Sequence, residues 1–445
     1  MENSRKSKSD DLPERVACAL LPIVPAGSSI LLGLSGGVDS VVLLHLLQQV
    51  APRYSWRVSA LHVHHGISPH ASDWAAFCAE LCACYEIPLQ IERVDIAPLR
   101  EHGIEAAARK LRHAALDRQQ ADFVALAHHL DDQAETLLLQ LLRGAGLRGA
   151  SAMPLARQRP GHPVQLRPLL DVARSELLAY AQQHDLRWVE DESNADDTYP
   201  RNFLRHRVLP ELEQRFPAYR ETLGRSARHF AEAGELLDEL AQQDAQGALQ
   251  DGFLEIAHLQ ALTQPRAKNL LRYFLHRVGA PMPHAVQLDV MLQQLCDARQ
   301  DAAVQLSFGH WQLRRYQGRA YAFLALPEPV AEFCMQWNGE TELELPELGG
   351  TLHFEPAVGR GLSLEKLRQA SVTVRLRRGA EKIRPDSNRP TRTLKNLLQE
   401  LDIPPWQRDR LPLLFCGEVL AAVPGIGVEC EYQAAQEEAG VVLQW

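Results

Sequence analysis

The sequence predicts an α/β fold. A parallel sheet with helices on both faces comes first, then a mainly helical region and a small α+β region. Three observations carry this prediction. The apolar run Ser29–Leu34 passes through Ser35-Gly36-Gly37-Val38-Asp39-Ser40 into a second apolar run, Val41–Leu47. Apolar runs of strand length alternate with longer amphipathic runs from residue 28 to about 215. That alternation stops near residue 220. Taken in order, Ser29–Leu34 reads as a buried strand and Val41–Leu47 as a helix. Arg57–Val63 is a strand, Trp74–Tyr85 a helix and Leu89–Val94 a strand. Glu105–Gln119 is a helix, Phe123–Ala127 a strand and Asp132–Arg143 a helix. Strands joined through helices lie parallel, and ligands bind beyond their carboxyl ends. Ser35–Ser40, His62–Gly66 and His128–Glu135 therefore belong to one sheet edge. Further on, Arg220–Ala245, Gln264–Val278 and His284–Leu295 read as helices. Ala303–Phe308, Trp311–Tyr316 and Ala320–Leu324 read as an antiparallel meander turning at Gly309 and Gly318. Pro327 and Pro329 mark a linker, and short strands with one or two helices follow. The expected domains are 1–218, 219–327 and 328–445.

With 445 residues, 46% of them apolar, the chain can build several cores. No apolar run reaches membrane-spanning length, and Met1–Arg15 is polar, without a secretory core. The eight cysteines form no CxxC pair. Cys78, Cys82 and Cys84 share one helix, as small core residues of a reduced, cytoplasmic protein would. A net charge of −9 argues against general nucleic-acid binding, but the charge is unevenly placed. Arg375–Arg410 holds ten Lys/Arg against five Asp/Glu, and Glu328–Ser371 three against eight.

The Ser35–Ser40 loop sits where a strand becomes a helix, so its glycines and the first helix amides can cradle phosphate. A Walker A loop needs Lys before its last Ser or Thr, and Asp39 stands there instead. An Asp beside a phosphate nest favours bound magnesium. Asp132 and Glu135, three apart, share the first turn of their helix. Capping explains that spacing, while a place beside an ATP loop would make them magnesium ligands or a general base. His62 and His64 lie on one strand face, where lining a ligand or filling structure suits them better than zinc. Asp191–Arg207 is an acidic loop entering a helix that carries Arg201 and Arg205 on one face. A phosphate clamp and a solvated helix are equal readings of it. Arg377, Arg378, Lys382, Arg389, Arg392 and Lys395, interrupted by Gly and Pro, suit contact with a nucleic-acid backbone.

The loop resembles the PP-loop of pyrophosphatases that split ATP to AMP and pyrophosphate. Together with His62–Gly66, Glu105–Arg112, Leu126–Thr136, Arg143–Met153, Asp191–Arg207 and Arg384–Gly427, it resembles the long bacterial tRNA(Ile)-lysidine synthases over nearly the whole chain. Arg143–Gly149 and Arg201–Arg205 separate it from other PP-loop enzymes. The resemblance implies a PP-loop catalytic domain followed by two tRNA-contacting domains. It implies that ATP adenylates the C2 oxygen of the wobble cytidine in a CAU anticodon, and that free L-lysine then displaces AMP. Codon reading changes from AUG to AUA, and identity from Met to Ile. On the same footing Ser35, Gly36, Gly37, Val38, Asp39 and Ser40 bind ATP and pyrophosphate. His62, His64 and Arg109 line the nucleotide, and Asp39 and Asp132 hold magnesium. Asp131, Asp132, Glu135 and His128 serve lysine or magnesium, with Asp39, Asp132 and Glu135 catalytic. Arg201, Arg205 and the basic run meet tRNA. No membrane is implied, and a homodimer is the assembly considered. His64 stands where some relatives have Asn, a mild departure, since both side chains can bond a nucleotide.

A tRNA thiolase, a small-molecule amidating ligase and a non-catalytic RNA-binding protein are the alternatives. The first needs paired reactive cysteines, and the second leaves the basic C-terminal region unexplained. Intact Asp39, Asp132 and Glu135 oppose the third.

Overall fold

The computed structural model describes residues 12–95, 104–192, 196–250, 252–299, 302, 304–325, 333–388 and 390–445. The chain forms two compact units, Met1–Leu237 and Asp238–Trp445.

The first unit is built on a six-stranded sheet. Its strands are β1 (Ser29–Gly33), β2 (Arg57–His64), β3 (Leu89–Arg93), β4 (Phe123–Ala125), β5 (Ala156–Arg157) and β6 (Val164–Leu166), in the spatial order β3-β2-β1-β4-β6-β5. All pairs are parallel except β5 with β6. Its main helices are α1 (Leu12–Leu20), α2 (Val38–Val50), α3 (Ala71–Cys84), α4 (Ile104–Asp117), α5 (Leu130–Leu142), α6 (Leu147–Ala150) and α7 (Arg174–Gln183). Strand alternation shows directly in β1. Ile30 and Leu32 enter a core with Leu12, Val42, Leu46 and Leu177 from α1, α2 and α7. Leu31, between them, joins Leu61, Val124, Ala115 and Leu116 on the opposite face, against α4. Both faces are therefore covered, as near-continuous apolar strands require. After α7 the chain makes α8 (Pro200–Phe203), a π-helical turn over Leu204–Val208, α9 (Leu209–Arg215) and the long α10 (Tyr219–Asp244). Leu209 and Tyr219 pack on Ala134 of α5, which fixes the Arg-bearing helix beside the sheet edge.

The predicted strands and helices of this unit are present, with ends shifted by up to three residues. The sheet also gains β5 and β6, two and three residues long, and the unit gains α1 and α7.

In the second unit, helices Ile256–Ala261, Gln264–Arg277 and Ala285–Asp297 cover one core. A five-stranded antiparallel sheet contains the predicted meander, and Leu249–Gln250 and Phe253–Glu255 extend it. Beyond residue 333, one five-stranded and one four-stranded sheet enclose a second core around Leu352, Phe354, Val374 and Leu414. Three short helices accompany them, Leu364–Leu367, Leu394–Glu400 and Pro405–Arg408. No helix among the described residues is long and apolar enough to cross a membrane.

Candidate active site

β1 lies in the middle of the sheet between β2 and β4: the chain runs from β1 outward through β2 to β3, then crosses back to β4 on the other side. The crevice at such a reversal is where open α/β sheets bind ligands. Ser35–Ser40 occupies it. Gly36 adopts φ +89°, a left-handed conformation costly for other residues. The hydroxyls hold the turn: Ser40 Oγ donates to the Gly37 carbonyl at 2.9 Å, accepts from the Gly36 amide at 3.2 Å and lies 3.1 Å from Ser35 Oγ. The Val189 amide donates to the Gly36 carbonyl at 3.0 Å, so a segment far along the chain braces the loop. A Cβ on Gly36 would come within 2.9 Å of Val189 Cγ2 and 3.2 Å of Cys78 Sγ. Gly36→Ala is therefore expected to lose about 1–3 kcal/mol of stability. It should also slow ATP turnover about 10-fold or more, with Val189→Ala restoring part of the melting temperature. Calorimetry and AMP release check both.

Asp39 lies in the first turn of α2. Its Oδ1 is enclosed and has no protein partner, while Oδ2 stands 3.6 Å from His129 Nε2. An enclosed carboxylate oxygen without a donor fits a cation. No three His, Cys, Asp or Glu converge as a cage among the described residues. Magnesium rarely needs one, because it binds through one or two carboxylates and substrate phosphates. Asp39 and Asp132 fit that manner of binding.

The carboxylates of α5 are more heavily engaged than their spacing reveals. The helix begins at Leu130, with His129 as its cap. Asp132 Oδ2 accepts the His129 amide at 3.0 Å, so the capping reading holds for it. Asp132 Oδ1 accepts Arg201 Nη2 at 2.7 Å. Glu135, with 1% of its side chain exposed, accepts Arg201 Nε at 2.6 Å, Arg205 Nε at 2.7 Å and Arg205 Nη2 at 3.0 Å. Burial works against the charge on Asp132. His129, Arg201, His128 and the His129 amide outweigh it and hold the carboxyl at about 2. Asp132 is thus ionised throughout the physiological range. Asp131 Oδ1 takes Arg220 Nε at 2.5 Å, and its Oδ2 caps α7 through the Arg174 amide at 2.8 Å. Gln133 Nε2 donates to the Met153 carbonyl at 2.7 Å and pins the glycine-rich stretch after α5. Arg201 and Arg205 are neither a free phosphate clamp nor a solvated face: they grip Asp132 and Glu135. The π-helical turn that carries Arg205 is a form often found at functional sites.

The histidines divide. His62 is buried, with Nδ1 2.9 Å from the Leu34 carbonyl, which it meets as a donor, and 3.5 Å from Cys78 Sγ. Burial lowers its basicity, with His64 and Arg112 adding to the effect. His64 Nε2 lies 3.4 Å from Ser72 Oγ. His128 has an enclosed, unpartnered Nδ1, and burial takes it down to about 3. Both ring nitrogens of His65 are enclosed without partners, and burial and Arg112 bring it to about 4. Arg109 is exposed on α4. Sequence reasoning passed over His65, His129, Val189 and Arg167, a buried arginine that follows β6. In the sequence their places just after strands would have marked His65, His129 and Arg167, while nothing marks Val189.

In the second unit, Arg375, Arg378, Lys382 and Phe415 line a cleft of about 360 Å³. Arg377 pairs with Asp409 at 3.2 Å and Arg392 pairs with Glu400. Lys395 is exposed, and Arg389 lies outside the described residues. The eight cysteines are all free thiols.

A parallel sheet that delivers this loop and its carboxylates to one edge defines a PP-loop enzyme that uses ATP, and residues 13–212 match the PP-loop domain family. Residues 254–321 match the TilS substrate binding domain, and residues 372–445 the TilS substrate C-terminal domain. The tRNA(Ile)-lysidine synthase of Nitrosomonas europaea is 44% identical over 100% of this chain and 98% of its own length. That of Coxiella burnetii is 40% identical over 96% and 95%. The chain belongs to the tRNA(Ile)-lysidine synthase family and is an ATP-using ligase. A U34-tRNA thiolase from Methanococcus maripaludis is similar at 19% identity, with a TM-score of 0.45, over 50% of this chain and 79% of its own.

Proposed function

We propose that the chain joins free L-lysine to C2 of the wobble cytidine of tRNA(Ile) with a CAU anticodon, through an adenylated cytidine. Lysidine formation on tRNA(Ile) is the activity of its family. The observation that carries the finer reading is the meeting of the Ser35–Ser40 loop, Asp39 and Asp132 at one sheet edge. The C2 oxygen of cytosine is a poor leaving group, so it must first be activated. It attacks the α-phosphorus of ATP, the bond to the β-phosphate oxygen breaks, and pyrophosphate departs into the amides and hydroxyls of Ser35, Gly36, Gly37, Val38 and Ser40. Magnesium, when bound at Asp39 and Asp132, offsets the charge of that departing group.

The lysine ammonium loses one proton, the neutral ε-amine attacks C2, AMP leaves with the oxygen, and the new C–N nitrogen sheds a second proton to solvent. With a pKa near 10.4, only about 1 amine in 2,500 is neutral at pH 7, so a carboxylate is needed to hold the ammonium and pass its proton on to solvent. Asp132 supplies it. Glu135, whose oxygens are taken up by Arg201 and Arg205, positions those two arginines over the reacting nucleotide. Asp131 shapes the start of α7, and His62, His64 and Arg109 flank the nucleotide. We divide the chain at residues 218 and 327 and assign the tRNA grip to the last two parts. We place the enzyme in the cytoplasm.

The test is incorporation of labelled lysine into an unmodified tRNA(Ile) transcript with ATP and magnesium. Stable label with one AMP per lysine is expected. AMP without label would point to another nucleophile, and no AMP would remove the PP-loop from catalysis. For the basic cleft, replacing Arg378 and Lys382 by Ala should lower the slope of log affinity for tRNA against log salt by about 2. The KM for ATP should stay within about 2-fold. An unchanged slope would move the tRNA surface elsewhere.

A further inference from the structure

Arg167 follows β6 directly and lies at the same carboxyl edge as the PP-loop and His128. The register is set by the Leu126 amide on the Leu166 carbonyl at 2.9 Å. Only 5% of Arg167 is exposed. Its donors meet neutral acceptors: Nη1 donates to the Pro154 carbonyl at 3.0 Å and Nη2 to Gln165 Oε1 at 3.3 Å. Nε is enclosed and has no partner. No carboxylate is paired with it among the described residues. The neighbouring charges are cations, and burial followed by Arg157, Arg109 and Arg159 brings the guanidinium down to about 10. A guanidinium is kept in such a place at a cost, unless an anion visits it. Beside it, His128 holds an enclosed, unpartnered Nδ1 and feels Asp132, Arg167, Arg201 and Arg109.

We propose that Arg167, with His128, forms an anion subsite that reads the α-carboxylate of the lysine substrate. This rests on lysine being the nucleophile. Three kinds of anion enter the reaction. The ATP phosphates belong at β1, two strands away, about 10 Å at the spacing of paired strands. The tRNA phosphates ride on a bulky backbone that does not suit a nearly sealed donor. The lysine carboxylate is small and is held by an aliphatic chain away from the ammonium. With the ammonium at Asp132 after β4, the carboxylate falls toward β6, where Arg167 waits. The two ends of one substrate are thus recognised from adjacent strands, and an amine lacking the carboxylate is disfavoured.

The experiment compares lysine with lysinamide as nucleophile in the full-length wild-type enzyme and in Arg167→Met, with tRNA and ATP. The wild-type enzyme should prefer lysine by about 10- to 100-fold in kcat/KM, the range of one or two charge-assisted hydrogen bonds. Arg167→Met should lose that factor for lysine and leave lysinamide unchanged, with the KM values for ATP and tRNA within about 2-fold. Equal losses for both amines would reduce Arg167 to a structural role and overturn the proposal. A selective rise in the KM for ATP or tRNA would assign the subsite to phosphate and overturn it equally. If Arg167→Met fails to fold, Arg167→Lys serves, with the lysine-to-lysinamide ratio as the readout. Wild-type enzyme that releases AMP without accepting lysine would overturn the lysine reading itself. Active transfer without discrimination would overturn this proposal alone.

Discussion

Replacing Asp39 by Asn is expected to lower ATP-dependent AMP release by about 10³-fold and leave the melting temperature nearly unchanged. The two halves of that result have different origins. Asn keeps the shape of the side chain and its place in the first turn of α2. The protein partner of the Asp39 carboxylate is a ring nitrogen at 3.6 Å, so the fold loses little when the charge goes. What disappears is the negative charge behind the enclosed oxygen of Asp39, which no donor in the protein satisfies. If that oxygen serves magnesium and the phosphates, excess magnesium should recover part of the rate. An Asp39→Asn enzyme that still forms AMP at the wild-type rate would remove Asp39 from the chemistry.

Glu135→Ala is expected to act in the opposite way, through stability first. It strips the shared partner from Arg201 and Arg205, whose side chains are 21% and 29% exposed. Asp132 is then left as the one carboxylate for two guanidiniums, 2.7 Å from Arg201 and 3.5 Å from Arg205. Removing one member of such a buried ion network costs about 3–5 kcal/mol, or roughly 10 °C of melting temperature in a unit of this size. Replacing Arg205 by Met in the same background should return part of that loss, because Arg201 then keeps Asp132 as its partner and no surplus cation stays buried. A coupling of less than about 1 kcal/mol between Glu135 and the arginines would show that the pairs are solvent-screened. Activity should fall in all these variants, since the arginines can no longer be held over the nucleotide.

The two predictions touch residues that the sequence displays with unequal clarity. Asp39 is legible because everything that positions it is local: a strand, two glycines and the first turn of a helix within about a dozen residues. The βαβ alternation is legible for the same reason. The clasp of Glu135 by Arg201 and Arg205 is not, because its members lie 66 and 70 residues apart. Charge at helical spacing says that a face is polar, not what it meets. β5 and β6 escaped because strands of two and three residues show no period. Arg167 escaped because burial of a charged residue goes against its ordinary preference. The pairing of Arg377 with Asp409 and Arg392 with Glu400 also lowers the free charge that a count along Arg375–Arg410 suggests.

The bond from the Val189 amide to the Gly36 carbonyl has a consequence for synthesis on the ribosome. The nucleotide loop emerges early, but its brace is encoded about 150 residues later. At ordinary elongation rates roughly 8–30 s separate the two. β4, which flanks β1 in the finished sheet, also emerges in that interval. The nascent loop is therefore exposed without its brace until the segment around Val189 has left the ribosome. The site is completed only once most of the first unit can fold around it, so Gly36 gains its brace among the last steps of that unit's assembly.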